Sequence, residues 1–166
     1  MTGEEFTALA RQHMDLVYRV ALNCVRHPTD ADDVTQNVML RLLRSGPRFE
    51  SEEHARRWLI RVTANESKRL LTAPWRSRAA SLEEAACAAY PDDEERRELF
   101  QAVMELPEKY RLPLYLYYYE GYSTEETAAI LNTRLSTVQT WLARGRERLK
   151  NALKGGNGNG RTESGV

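Results

Sequence analysis

An all-α fold is predicted: two small helical domains joined by a flexible linker, the C-terminal one a helix-turn-helix. Three observations predict it. Apolar residues recur at helical spacing through the first seventy or so residues and again from about Asp93 onward. Between these stretches, PWRSRAASLEEAACAAYPDDEE (74–95) has no sustained apolar period. Finally, Gly121 to Leu153, GYSTEETAAILNTRLSTVQTWLARGRERLKNAL, reads as two helices across a tight turn, the second strongly basic. The expected organisation is a first domain over 1–73, a linker over 74–95, a second domain over 96–154 and a disordered Gly/Asn-rich tail over 155–166.

The first helix is expected from about Glu4 to Val25, with Phe6, Leu9, His13, Leu16 or Val17, Val20 and Cys24 on its buried stripe. His13 there reads as a packed histidine. Pro28 ends that segment, and Thr29 or Asp30 caps the next helix, which runs to Arg44. This second helix has two faces. Ala31, Val34, Val38 and Leu42 form the buried one, while Asp33, Gln36, Asn37, Leu40 and Leu43 point outward. Two leucines on an outward face suit a protein partner better than solvent.

A loop over 45–53 leads to a third helix, about Glu53 to Leu71, with Ala55, Leu59, Val62 and Leu70 toward the core. Its far side carries Arg57, Arg61, Ala64 and Lys68, flanked by Trp58, Asn65 and Arg69. Cations one turn apart beside an amide and an indole can follow a phosphate backbone and hold an unstacked base. In the linker a short helix is expected around Leu82 to Ala89. Its acidity suits either strand mimicry or a solvated spacer.

Helices resume over Asp93–Leu106 and Pro107–Glu120, the latter loosened or kinked by Pro113, which lacks the N–H for its ladder bond. Tyr110, Tyr115, Tyr117, Tyr118 and Tyr119 are expected mostly in the core. A capping box, Ser123 to Glu126, starts the next helix, whose apolar body is Ala128, Ala129, Ile130 and Leu131. The turn passes Asn132, which tolerates left-handed dihedrals. A second box, Ser136 to Gln139, opens the last helix. There Val138, Leu142, Gly145 and Leu149 form the buried stripe, Trp141 packs beside it, and Ser136, Thr140, Ala143 and Arg144 face outward. From Arg134 to Lys154 six basic residues stand against Glu147 alone, which suits an element entering the major groove.

Formal net charge is zero, so no global field draws the chain to nucleic acid. Charge is segregated instead: seven basic residues against Glu66 over 54–78, and seven acidic against Arg96 and Arg97 over 83–98. Cys24 and Cys87 have no metal-ligand spacing with His13, His27 or His54, and Cys24 reads as a buried thiol. Asp30, Asp32 and Asp33 diverge around their helix too far to share a metal ion, and acids there complement the helix dipole. With no nucleophile–base pair or phosphate loop either, no catalytic residue, cofactor or metal is assigned, and the chain is read as not an enzyme. MTGEEFTALARQ has no signal-peptide pattern and no run is long enough for membrane insertion, so a cytoplasmic protein is expected.

STEETAAILNTRLSTVQTWLARGRERL resembles the promoter-reading region four of bacterial sigma factors of the extracytoplasmic-function (ECF) group. The family usually carries glycine at the positions of Asn132 and Ser136, and Lys or Arg at that of Gln139. The resemblance implies contact with the minus-thirty-five element by Arg134, Ser136, Thr137, Gln139, Thr140, Arg144 and Arg146. DADDVTQ is similar to the region-two helix that docks on the clamp helices of the polymerase β′ subunit, with Asn37 in place of the usual glutamate. Asp33, Gln36, Asn37, Leu40 and Leu43 would then be polymerase-binding. RRWLIRVTANESKRLL resembles the family's melting helix, implying minus-ten DNA contacts by Arg57, Trp58, Arg61, Asn65 and Lys68, with Asn65 at a flipped base.

The function so implied is that of a sigma factor: binding core RNA polymerase through its β′ and β subunits, recognising and melting promoter DNA, and answering to an anti-sigma factor. The alternative is a stand-alone helix-turn-helix regulator, which accounts for 121–153 and leaves Asp33, Gln36, Leu40, Arg57 and Asn65 unexplained.

Overall fold

The computed structural model describes residues 1–73 and 90–157, and all regular structure among them is helical. The chain divides into two compact units, Met1–Ser81 and Leu82–Val166. The expected short helix around 82–89, Cys87 and most of the expected linker lie outside the described residues.

In the first unit, α1 (Gly3–Val25) opens with a capping box that the sequence spells as Thr2 to Glu5. The Thr2 N–H donates to Glu5 Oε2 at 2.7 Å, and the Glu5 N–H to Thr2 Oγ1 at 3.1 Å. Its stripe is as expected: His13, Leu16, Val17, Val20 and Cys24 are buried, and Phe6 and Leu9 half-buried. Arg26 ends the helix in the left-handed region, φ 65°. The next start differs from expectation. Pro28 opens α2 (Pro28–Ser45) rather than merely ending what precedes it, because its fixed φ suits a first helical position. The cap is His27, whose Nδ1 accepts from the Thr29 N–H at 3.1 Å, and Asp30 lies buried inside the helix.

Ala31, Val34, Val38 and Leu42 are fully buried, as their spacing requires. On α3 (Glu52–Leu71), capped by Ser51, the core face is rotated from the one expected. Val62 is only half-buried, and Thr63, Glu66 and Ser67 are inside with Ala55, Leu59, Ile60 and Leu70. Two of these polar residues are satisfied there: Thr63 Oγ1 donates to the Leu59 carbonyl at 2.6 Å, and Glu66 is doubly ion-paired, whereas the buried Ser67 hydroxyl has no hydrogen-bond partner among the described residues. Each helix packs on the other two. Fully burying a side chain such as Leu42 or Leu59 stabilises the unit by about 1.5–3 kcal/mol.

His13 gives this unit a pH dependence. Burial holds its imidazole below the ordinary range; from α3, Glu52 and Glu53 oppose that effect and Arg56 adds to it. The fold therefore keeps His13 neutral, while the unfolded chain protonates it near 6.5. Stability from this group is fully present above that pH and falls as pH drops below it, by at most about 1.4 kcal/mol per pH unit. Denaturant unfolding followed between pH 7.5 and 5 is expected to show this slope, and His13→Leu to reduce it.

The second unit begins with α4 (Glu94–Met104), capped by Asp93, which stops two residues before the expected Leu106. Pro107 lies just outside α5 (Glu108–Leu114). The loosening expected of Pro113 follows it: Tyr115–Tyr119 form a π-helical turn, closed by the Glu120 N–H donating to the Tyr115 carbonyl at 3.1 Å. Tyr110 is buried as expected, but Tyr118 and Tyr119 are exposed rather than core. The wide turn changes which side of the segment meets the interior.

Gly121, at φ 80°, turns the chain into α6 (Thr124–Leu131). The Ser123–Glu126 box is present with both arms, at 3.0 and 2.8 Å. Asn132 is left-handed at φ 55°, ψ 52°, and Ala129 is exposed where burial was expected. The last helix, α7 (Leu135–Asn157), starts two residues earlier than a Ser136 cap would place it. Ser136 therefore lies inside it and cannot act as an N-cap, and the helix runs past 154, the expected end of the domain. Residues 158–166 of the expected tail are not described. Leu106, Leu114, Ala128, Val138 and Leu142 form the core, with Val103, Tyr117 and Trp141 packed at its margin. Gly145 lets α7 approach α5 closely, since a Cβ there would lie 2.9 Å from Leu114 Cδ1 and 3.2 Å from Tyr110 Cβ.

Candidate nucleic-acid and partner interfaces

Three surfaces carry the residues singled out in the sequence. On α2, Asp33, Gln36, Asn37, Leu40 and Leu43 are all exposed. Leu40 and Leu43 keep 41% and 44% of their surface in water, beside an acid and two amides. Such a face can bury apolar area against a partner and fix its register with polar groups.

On α3, Arg61, Asn65 and Lys68 are exposed, and Arg57 and Trp58 half-buried. The Arg57 guanidinium is held along the helix by Glu53, with Nε to Oε2 at 2.9 Å. Trp58 meets Phe49 edge-on at 5.6 Å between centroids, and Phe49 meets His54 at 5.3 Å, so the loop before α3 steadies its aromatic side chain. Phe49 was not foreseen; its signal is an aromatic next to the helix start.

Nor was Glu66. It is buried under this surface, taking Arg69 Nη1 at 3.0 Å on its own helix and Arg41 Nη2 at 2.9 Å from α2. A buried carboxylate needs such partners. The hint in sequence is the single acid of the basic stretch 54–78, three residues before an arginine. One cation of the expected flank, Arg69, is thereby tied to the interior carboxylate.

On α7, Ser136, Gln139, Thr140, Arg144 and Arg146 are exposed and Thr137 half-buried, and Arg134, just before the helix, is exposed too. Ser136, Thr140, Ala143 and Arg144 lie opposite the buried Val138 and Leu142, so hydroxyls and a guanidinium share one outward strip. Not every cation joins it. The Arg148 guanidinium sits 5.4 Å from the Tyr110 ring centroid, and Arg146 Nη1 donates to Tyr118 Oη at 3.0 Å. Among the described residues no three His, Cys, Asp or Glu side chains are gathered as metal ligands, and no helix is long and apolar enough to cross a membrane.

Residues 9–77 match the family described as Sigma-70 region 2, and residues 96–149 the one described as Sigma-70, region 4. The ECF RNA polymerase sigma factor SigE of Mycolicibacterium smegmatis is 31% identical over 87% of this chain, which spans 60% of that protein's length. The RNA polymerase sigma-E factor of Streptomyces coelicolor is 31% identical over 90% of this chain and 86% of its own. In fold, the sigma factor RpoE of Bartonella quintana, solved in complex with the anti-sigma factor NepR, superposes with a TM-score of 0.68 at 18% identity, covering 91% of this chain and 98% of that one. A region-2 match and a region-4 match in that order, with likeness to the Streptomyces protein over most of both chains and to relatives named as ECF factors, settle the family: the chain belongs to the extracytoplasmic-function group of RNA polymerase sigma factors.

Proposed function

We propose that the protein binds core RNA polymerase, carries it to promoters and opens the DNA there. The observation that supports this most is the presence of region 2 and region 4 in one chain. A stand-alone helix-turn-helix regulator would use only the second. In this reading Asp33, Gln36, Asn37, Leu40 and Leu43 on α2 dock on the β′ clamp helices, and the β subunit is a second contact. Arg57, Trp58, Arg61, Asn65 and Lys68 on α3 take the minus-ten element. Arg134, Ser136, Thr137, Gln139, Thr140, Arg144 and Arg146 take the minus-thirty-five element. Residues 1–73 and 96–154 are the working units, joined by 74–95.

The protein acts without catalysis or cofactor of its own, in the cytoplasm, with no membrane insertion. The likeness to a sigma factor solved with its anti-sigma factor supports a regulatory partner of that kind. Because net charge is zero, the free chain holds promoter DNA weakly and gains specific binding with the polymerase. The test is co-purification with core enzyme and sequencing of the bound promoters. Asp33→Ala combined with Gln36→Ala is expected to weaken association with core enzyme roughly tenfold while leaving the circular dichroism spectrum unchanged, since both residues are exposed. An undiminished pull-down removes the docking role from this face.

A further inference from the structure

We propose that Tyr118 and Arg146 form a phosphate clamp beside α7, in which Tyr118 both binds the DNA backbone and positions Arg146. The inference rests on the sigma-factor reading and adds to it a residue outside the helix-turn-helix.

The two residues are 28 apart in sequence, and their side chains meet at an exposed point where Arg146 Nη1 donates to Tyr118 Oη at 3.0 Å. A hydroxyl that accepts from a guanidinium keeps its own proton to give away. Tyr118 retains 58% of its surface in water and Arg146 is also exposed. The hydroxyl and the remaining guanidinium N–H groups therefore present several donors and a positive charge together, facing outward. An oxyanion that accepts from both fits them, and guanidinium contacts to phosphate are strong and directional.

The tyrosine is also built in place. Its ring meets Tyr117 edge-on at 4.9 Å between centroids, and Tyr117 packs against the core of the unit. Both stand on the π-helical turn Tyr115–Tyr119; such wide turns are rare and concentrate at functional sites. A regular α-helical turn would bring a different residue to this point. The pair also restrains Arg146, which would otherwise sample many rotamers on an open helix surface.

Nucleic acid is favoured over a protein carboxylate by what else lies on this flank of α7. Gln139, seven residues before Arg146, and Lys150, four after it, stand on the same side, and Gln139 is exposed. The flank adjoins the strip of Ser136, Thr140 and Arg144. A helix whose strip faces base edges has the groove's phosphates along its flanks.

The test uses complete holoenzyme on promoter duplexes carrying one uncharged methylphosphonate at successive positions around the minus-thirty-five element. Wild-type holoenzyme is expected to lose about fivefold in affinity at one flanking phosphate. Tyr118→Phe, which removes only the hydroxyl, is expected to bind the unmodified duplex about fivefold more weakly and to be indifferent to neutralising that phosphate. Arg146→Ala should match it there, with core-enzyme association unchanged for both. If Tyr118→Phe holoenzyme retains the wild-type pattern, the clamp is wrong while the sigma reading stands. If the variants instead lose core enzyme and keep the phosphate pattern, the pair faces a protein and the clamp is equally wrong. A wild-type chain that forms no promoter-binding holoenzyme overturns both readings.

Discussion

Gly145→Val is expected to destabilise the second unit by about 1–3 kcal/mol, the range for inserting methyl groups into a filled core. The position is closed on α5 at three points: a Cβ at residue 145 would stand 2.9 Å from Leu114 Cδ1, 3.2 Å from Tyr110 Cβ and 3.3 Å from Leu114 Cγ. The first can rotate away, because it is a side-chain tip. The other two lie near the backbone of a short helix that ends in the π-helical turn, so α5 and α7 must move apart for a branched residue. Alanine is an instructive contrast. It asks the same neighbours to shift by tenths of an ångström but gains about 1 kcal/mol in helix propensity, so Gly145→Ala should lie within about 1 kcal/mol of wild type. Hydrogen exchange on the full chain measures this locally. Amides of α5 and α7 should exchange faster in Gly145→Val, with those of α1 to α3 unchanged. Unaltered protection would mean that the packing around Gly145 yields at no cost.

Asn65→Ala holoenzyme is expected to bind a promoter normally and open it poorly. Asn65 is exposed on α3 between Arg61 and Lys68, so its amide can bond an extruded base while the cations hold the backbone. Extruding a base costs a few kcal/mol, and losing one hydrogen bond from the pocket should lower the ratio of open to closed complex roughly tenfold. Two measurements separate the steps. A mobility shift reports binding, and permanganate reactivity of unpaired thymines reports opening. Normal thymine reactivity on a promoter the variant demonstrably binds would remove the melting role from Asn65. Trp58 adds a second element, since its edge contact with Phe49 fixes the ring next to this surface.

Much of this fold can be read from spacing. The stripes of α1 and α2, the Ser123–Glu126 box and left-handed Asn132 all follow from local rules that burial and backbone sterics leave little room to break. Misreadings arise where polar residues take apolar places. Thr63, Glu66 and Ser67 replace Val62 on the core face of α3, and the ion pair that lets Glu66 sit there reaches across to Arg41 on another helix, which no local rule foretells. Ser136 looks like a cap because Ser and a Gln three residues on form that pattern, but the helix already begins at Leu135. Pro113 announces a disturbance without saying that the helix will widen, which is why exposed Tyr118 and its contact with Arg146 are not legible in the sequence. For the candidate interfaces, periodicity tells which side chains face outward. It does not tell which cations are already engaged, as Arg57 is with Glu53 and Arg148 is with Tyr110.

The bridge from Arg41 to Glu66 limits how this protein can be rebuilt. Leu40 and Leu43 flank Arg41 on α2, and Asn65 precedes Glu66 on α3, so two surfaces proposed for different partners are joined by one contact, exposed at Arg41 and buried at Glu66. A chimera that grafts α2 from another factor would leave buried Glu66 with Arg69 alone, whereas a graft of α3 would release Arg41 to solvent. Residues 41 and 66 must therefore travel as a pair, and the smallest interchangeable part of the first unit is α2 together with α3.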